Sequence, residues 1–177
     1  MILKSFFNHP VTKRHVERKV LATHPLHLFR IIQDVDKYDT FLPLCQYSKI
    51  IRRSPDGRSF DGKLKIGSPP LFSEEYVSRV TVIPEELTIQ TESIESNRFD
   101  SLKSRWKLQE IDNTDDSFQC EVDFEVEMTV SDPVIVSILD RVLEQVATRQ
   151  VAAFEKRCQE LPIPYDLIES AKKFRQQ

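Results

Sequence analysis

Residues 132–161 read DPVIVSILDRVLEQVATRQVAAFEKRCQEL, and their reading decides the fold. Asp132 can accept hydrogen bonds from the free amides of a first helical turn, and Pro133 sits where a missing N–H costs nothing. Pro162 ends the run, because the residue before a proline is pushed out of helical geometry. At 100° per residue Ile135, Val136, Leu139, Val142, Leu143, Val146, Ala147, Ala153 and Phe154 share one broad face. Asp140, Arg141, Glu144, Gln145 and Thr148 share the other. At about 1.5 Å per residue this is roughly 40 Å of helix, enough to cross a whole sheet. The first two turns, with Val134, Ile135, Val136, Ile138 and Leu139, are apolar nearly all round, more than burial on a sheet requires. The pattern predicts a lid over an apolar cavity, with one end free to touch something greasy.

Upstream of the helix the chain reads as strands. Ser117–Val130 alternates with unusual regularity: Phe118, Cys120, Val122, Phe124, Val126, Met128 and Val130 face one way, and Gln119, Glu121, Asp123, Glu125, Glu127 and Thr129 the other. Ser101–Ile111 pairs with it across residues 112–116. With Ile111 opposite Ser117, Lys107, Arg105 and Lys103 meet Glu121, Asp123 and Glu125, while Trp106 meets Val122 and Leu108 meets Cys120. Glu75–Ile83 and Leu87–Ser93 are two further strands. Tyr47–Arg53 and Ser59–Ile66 form a hairpin over Ser54-Pro55-Asp56-Gly57, with Asp61, Lys63 and Lys65 on its wet face. Leu71-Phe72 follow the break at Gly67-Ser68-Pro69-Pro70 and fall on an exposed loop. Val16–Ala22 is a first strand, and Thr23-His24-Pro25 starts a helix carrying Leu26, Phe29, Ile32 and Val35. An antiparallel sheet of about six to seven strands, wet on one face and curled around a long terminal helix, is an α+β helix-grip arrangement.

Composition sets the limits. A chain of 177 residues forms one domain and buries about 70% of its unfolded surface. The expected divisions are an arm or targeting remnant over 1–15, a binding domain over 16–161 and a tail over 162–177. A net charge of −3 argues against a general nucleic-acid binder. Residues 1–20 nevertheless balance at +4, leaving −7 for the remainder. Residues 1–16 lack acids and mix Lys4, Lys13 and Arg14 with Ile2, Leu3, Phe6 and Phe7, which reads either as a weak mitochondrial presequence or as a frayed arm. Cys45, Cys120 and Cys158 lie far apart and form no CxxC pair, which fits a reducing compartment better than a disulfide framework.

Few residues point to catalysis or to a metal. The carboxylates Glu121, Asp123, Glu125 and Glu127 stand ~6.6 Å apart on alternate strand positions and read as a solvated salt-bridge face. Asp34, Asp36 and Asp39 lack the glycine and terminal glutamate of a calcium loop. His24 and His27 have no third ligand nearby in sequence, so a cap or surface role is expected. Cys45 has no histidine after position 27 to activate it. Gly57, Gly62 and Gly67 form no phosphate-cradling loop. Trp106 and the row Phe124, Val126 and Met128 are either ordinary core or cavity wall. Gln150 falls on the apolar face of the helix with Arg157 near it, where each is either a donor to a ligand or a marginal solvated group.

Two segments carry a resemblance: Val35-x-x-Tyr38-x-x-Phe41-Leu42-Pro43-x-Cys45, and much later Leu102-Lys103-Ser104-Arg105-Trp106. Together they resemble the coenzyme Q-binding START family of polyketide-cyclase-like proteins, and the order of elements agrees from about Val16 to Glu160. Asn97-Arg98-Phe99 departs from the Gly-Pro-Phe of many members, which bears on the local turn. The resemblance implies a START/Bet v 1-like fold. It also implies a non-catalytic protein holding ubiquinone on the matrix side of the mitochondrial inner membrane, supporting quinone synthesis and respiratory electron transport. The quinone-biosynthesis complex is an expected partner, and no metal or catalytic cofactor is expected.

The residues expected to line the ligand are Phe41, Leu42, Pro43, Phe72, Trp106, Phe124, Val126, Met128, Ile135, Leu139, Val142, Leu143, Val146 and Gln150. Leu71, Phe72, Val134 and Ile138 are expected at a membrane-touching mouth, with the basic N-terminal arm attracting anionic lipid. Two other readings compete. One is a cyclase- or aromatase-type enzyme, for which the inward rows offer only Ser104, Gln150 and Tyr76. The other is a protein-binding module acting through the acidic sheet face.

Overall fold

The computed structural model describes residues 9–68, 72–111 and 117–174, and excludes the side chains of residues 68, 72, 134 and 170–174. Seven strands, β1 (Val11–Leu21), β2 (Cys45–Arg53), β3 (Ser59–Ser68), β4 (Phe72–Ile83), β5 (Thr88–Glu95), β6 (Ser101–Glu110) and β7 (Cys120–Val130), form one sheet in the order β1-β7-β6-β5-β4-β3-β2. Every neighbouring pair is antiparallel. Helix α1 (Pro25–Gln33) and a 3-10 turn (Val35–Thr40) link β1 to β2; α2 (Pro133–Glu160) follows β7, and α3 (Tyr165–Phe174) closes the chain.

Local chemistry explains both helix starts. The His24 ring accepts from the Leu26 amide at 3.1 Å through Nδ1, with Pro25 in the first turn, so the predicted cap is real. At α2 the Asp132 carboxylate accepts from the Ile135 amide at 3.4 Å, as the sequence anticipates. One of the three acids after α1 has structural work: Asp36 Oδ1 accepts from the Ile50 amide at 2.7 Å, tying the 3-10 turn to β2. That turn approaches β3 so closely that a Cβ on Gly62 would stand 3.1 Å from Val35 Cγ1.

Four expectations are corrected. The first strand begins at Val11, five residues before Val16. Its inward positions Lys13, His15, Glu17 and Lys19 stand opposite Met128, Val126, Phe124 and Val122, so a polar inner face hid it from an apolar-alternation test. The β6–β7 register is displaced by two residues: Trp106 stands opposite Phe124, Leu108 opposite Val122, Arg105 opposite Glu125 and Lys107 opposite Asp123. A slip of two preserves every inside and outside assignment, which is why polarity matching accepted the wrong partners. Asp61, expected on a wet face, is only 3% exposed, because Arg79 forks its carboxylate at 2.9 and 3.2 Å and Arg52 lies 3.7 Å away. Finally, Phe72 opens β4 instead of extending a loop; its side chain and all of Leu71 lie outside the described residues.

Candidate functional site

Helix α2 crosses the concave face of the sheet, and the residues it buries are Leu139, Leu143, Ala147, Val151, Phe154 and Cys158. This stripe is narrower than the predicted face. Ile138, Val142 and Val146 are 52%, 36% and 40% exposed, while Ile135, Val136 and Gln150 are half-buried. The cause is a polar clasp on one flank. Lys13 pairs with Asp140 at 3.0 Å, Thr148 donates to Glu17 at 3.2 Å, and Lys19 pairs with Glu155 at 2.5 Å. At 100° per residue, Asp140, Thr148 and Glu155 lie on one side of the buried stripe, and Ile138, Val142 and Val146 on the other. The polar inner face of β1 therefore rolls the helix, leaving its opposite flank uncovered among the described residues.

Beneath the second half of α2 the interior is a cluster of rings. Trp106 tilts against Phe124 with centroids 4.3 Å apart and meets Phe154 edge-on at 5.0 Å. Phe154 in turn meets Tyr38 at 5.4 Å and Phe41 at 5.2 Å. Trp106, Phe124, Val126, Leu139 and Leu143 are all buried in one core. Of the two readings the sequence left for Trp106, Phe124 and Val126, this conformation displays packed core: the rings touch where an open hollow was expected. Phe154 and Tyr38 were missed as members of this cluster, although Phe154 was visible on the apolar face and Tyr38 in the quoted motif.

Beneath the first half of α2 the packing changes. A band of inward positions across β3 to β6 is small: Gly62 pairs with Ser78, Ser78 with Ser93, and Thr91 with Ser104. Around this floor Met128, Leu102, Phe99, Tyr76, Ile135 and Val136 are only partly buried. A hollow of about 340 Å³ opens at the same end, between Ser96–Asp100 and the start of α2 at Ser131, Asp132 and Ile135. Glu74, 7% exposed, fixes that loop by accepting from the Asn97 amide at 2.9 Å and the Ser96 hydroxyl at 3.2 Å.

The remaining expected residues fall as follows. Phe41 and Leu42 are half-buried against the core, with the Arg157 guanidinium 5.4 Å from the Phe41 ring centroid. Pro43 is exposed, beside Leu44 in the left-handed region (φ 65°), because the chain turns outward there to enter β2. It lines nothing in the interior. Val142 and Val146 are likewise exposed, on the uncovered flank of α2. The side chain of Val134 lies outside the described residues.

Beneath α2 and away from the inner row of β1, inward polar groups are few among the described residues. The Ser104 and Thr91 hydroxyls bond each other at 2.8 Å. The Tyr38 hydroxyl donates to the Ile32 carbonyl. Tyr76 makes no protein hydrogen bond among the described residues, and burial raises its phenol above the ordinary 10, so it remains a neutral donor. Burial raises the Cys120 thiol to about 12 and the Cys158 thiol to about 11, and it also raises Cys45; none is an activated thiolate. Among the described residues no three His, Cys, Asp or Glu side chains gather as metal ligands would. No helix among them is long and apolar enough to cross a membrane.

A curved seven-stranded antiparallel sheet gripping a terminal helix defines a START/Bet v 1-like protein. The chain belongs to the polyketide cyclase/dehydrase and lipid transport family, whose profile matches residues 22–155. It is 31% identical over 108 residues to the mitochondrial coenzyme Q-binding protein coq10 of Schizosaccharomyces pombe, spanning 60% of this chain and 65% of that protein. It is 25% identical over 157 residues to the mitochondrial coenzyme Q-binding protein COQ10 of Dictyostelium discoideum, covering 87% and 74%. A third relative is the ribosome association toxin RatA of Pseudomonas aeruginosa, 24% identical, covering 83% of this chain and 96% of that one. Among solved structures, the Zhui aromatase/cyclase from Streptomyces superposes with a TM-score of 0.72 at 12% identity, covering 84% of this chain and 94% of the enzyme, which speaks to the fold alone.

Proposed function

We propose that this chain is a non-catalytic carrier holding ubiquinone, an isoprenoid quinone, between α2 and the concave sheet. The observation that carries the reading is an interior walled mostly by apolar and aromatic side chains, the polar inner row of β1 being engaged by α2 at Lys13, Glu17 and Lys19. A polyisoprenoid tail needs only area, at about 0.8 kcal/mol for each buried CH₂. The ring needs one or two donors, for which the Tyr76 hydroxyl and Gln150 stand available. Leu42, Val126, Met128, Ile135, Leu139 and Leu143 serve as walls, the rings of Phe41, Trp106 and Phe124 as a closable end, and Val142 and Val146 as rim. Residues 16–161, extended by the start of β1, form the binding unit.

Loading from a bilayer requires α2 to part from the sheet on its unclasped flank. The mouth we assign to Leu71, Phe72, Val134 and Ile138, which would meet the matrix side of the mitochondrial inner membrane. The similarity to two mitochondrial coenzyme Q-binding proteins supports this placement, and with it a role in quinone synthesis and respiratory electron transport. A protein-binding module is the second reading, favoured by the match along nearly all of RatA. The acidic sheet face suits it poorly, because Arg14 and Arg105 already occupy Glu125, and Arg18 lies 3.4 Å from Asp123. Lipid extraction of the purified chain followed by mass spectrometry separates the readings. A co-purifying quinone supports the carrier, an aqueous metabolite the enzyme, and an empty extract the module.

A further inference from the structure

The solvent-facing side of α2 carries arginines that the carrier reading leaves unused. Ile138, Val142 and Val146 form an exposed apolar line, and Arg141, Gln145, Arg149, Ala152 and Lys156 are exposed beside it. At 100° per residue these eight positions fall within one arc of about 140°, in which the one acid of the helix is Glu160 of the last turn. The other acids of the helix lie elsewhere: Asp140 and Glu155 are held by lysines of β1 and Glu144 lies on the same flank, while Glu160 stands 3.8 Å from Lys156. Arg141 and Arg149 make no ion pair among the described residues. A chain of net charge −3 thus presents, from Ile138 to Ala152 of its longest helix, an exposed face of apolar, cationic and neutral side chains without a carboxylate.

We propose that this face is a docking surface for an anionic phospholipid bilayer, with Arg141 and Arg149 on lipid phosphates and Ile138, Val142 and Val146 entering the headgroup boundary. Exposed valines and isoleucine interleaved with arginines are the pattern of a helix that lies in a membrane interface. A second copy of this chain is a poor occupant. An antiparallel pairing centred on Gln145 sets Arg141 against Arg149 twice, and a parallel pairing sets each arginine against itself, with no acid on the face between Ile138 and Ala152 to relieve either. The inference rests on the carrier reading, since it lays the unclasped flank of α2 beside the membrane that supplies the quinone.

The test uses the full chain with vesicles of phosphatidylcholine alone and of phosphatidylcholine mixed with phosphatidylglycerol. Wild-type protein is expected to sediment preferentially with the anionic vesicles, and less so as salt is raised. The double variant Arg141→Gln/Arg149→Gln is expected to bind anionic vesicles about thirty-fold more weakly, from about 1 kcal/mol per basic residue at the surface. It should retain quinone in detergent as wild type does. A second variant, Val142→Ser/Val146→Ser, is expected to weaken binding to both kinds of vesicle. Wild-type affinity of the arginine variant for anionic vesicles overturns the proposal, as does the absence of any anionic preference in the wild type. Loss of capture by an acidic protein, with vesicle binding unchanged, overturns it in favour of a protein partner. Failure of detergent-solubilised wild type to bind quinone instead strikes the carrier reading and leaves the vesicle result to be judged alone.

Discussion

Trp106 and Phe124 stand directly opposite each other on β6 and β7, and their rings tilt together with centroids 4.3 Å apart. Phe154 of α2 meets the Trp106 ring at 5.0 Å, so this pair is where helix and sheet are fastened by aromatic contact. Trp106→Ala removes the largest member and leaves a void that the rigid sheet cannot fill by collapse. The expected loss is ~3–5 kcal/mol in chemical denaturation. A loss below ~1 kcal/mol would mean that the rings do not support each other as described.

The clasp between β1 and α2 should control opening more than stability. Lys19 and Glu155 are both partly exposed, so a double-mutant cycle on them is expected to give a coupling of ~0.2–1 kcal/mol. If the helix parts from the sheet by turning about this flank, Lys19→Ala with Lys13→Ala will speed transfer of a bound quinone analogue to vesicles. Transfer at the wild-type rate would remove the clasp from the opening mechanism.

Acid should loosen the outer sheet face in a predictable direction. The Arg14 hydrogen bond, opposed by desolvation and assisted by the charges of Arg14 and Arg105, holds the Glu125 carboxyl below its ordinary 4.5. A depressed folded value means that the stabilisation is fully present above 4.5 and is lost as pH falls through the lowered value. Arg14 is half exposed, so solvent screening keeps the effect small. Melting curves of Glu125→Gln should therefore differ from wild type at neutral pH and converge with it in acid. Curves that diverge as pH falls would contradict the pairing.

Thiol chemistry gives a further check on burial. Cys120 and Cys158 are buried, with thiols raised to about 12 and about 11, whereas Cys45 is half-buried. A maleimide at neutral pH is expected to label Cys45 alone in the folded chain and all three cysteines in denaturant. A raised thiol value also means that stability falls as pH climbs from 9 through about 11, since the unfolded chain then gives up the Cys158 proton more readily. Rapid native labelling of Cys158 would show that α2 does not lie closed on the sheet.

Much of this architecture was legible because the deciding signals are local. Asp132-Pro133 and Pro162 bracket α2, His24-Pro25 opens α1, and alternation marks β7, all without long-range information. What escaped depends on partners remote in sequence. The inner face of β1 is polar because Asp140, Thr148 and Glu155 of a distant helix receive it. The burial of Asp61 depends on Arg79 of the next strand folding over it. The β6–β7 register slipped by two because alternation repeats every two residues and could not distinguish Val122 from Phe124 as the partner of Trp106. The roll of α2 follows from the same clasp, which is why periodicity puts Val142 and Val146 on the inward face whereas they are exposed.

Trp106 is the chain's only tryptophan, so it reports on the interior without labelling. Titration of the protein in detergent with long-tailed ubiquinone, followed by tryptophan emission, tests the central claim most directly. Saturable quenching that is lost when Leu139 and Leu143 are both changed to serine, in a variant still folded by circular dichroism, is the predicted result. Emission that stays flat up to concentrations where the quinone itself aggregates would contradict a quinone seated between α2 and the sheet.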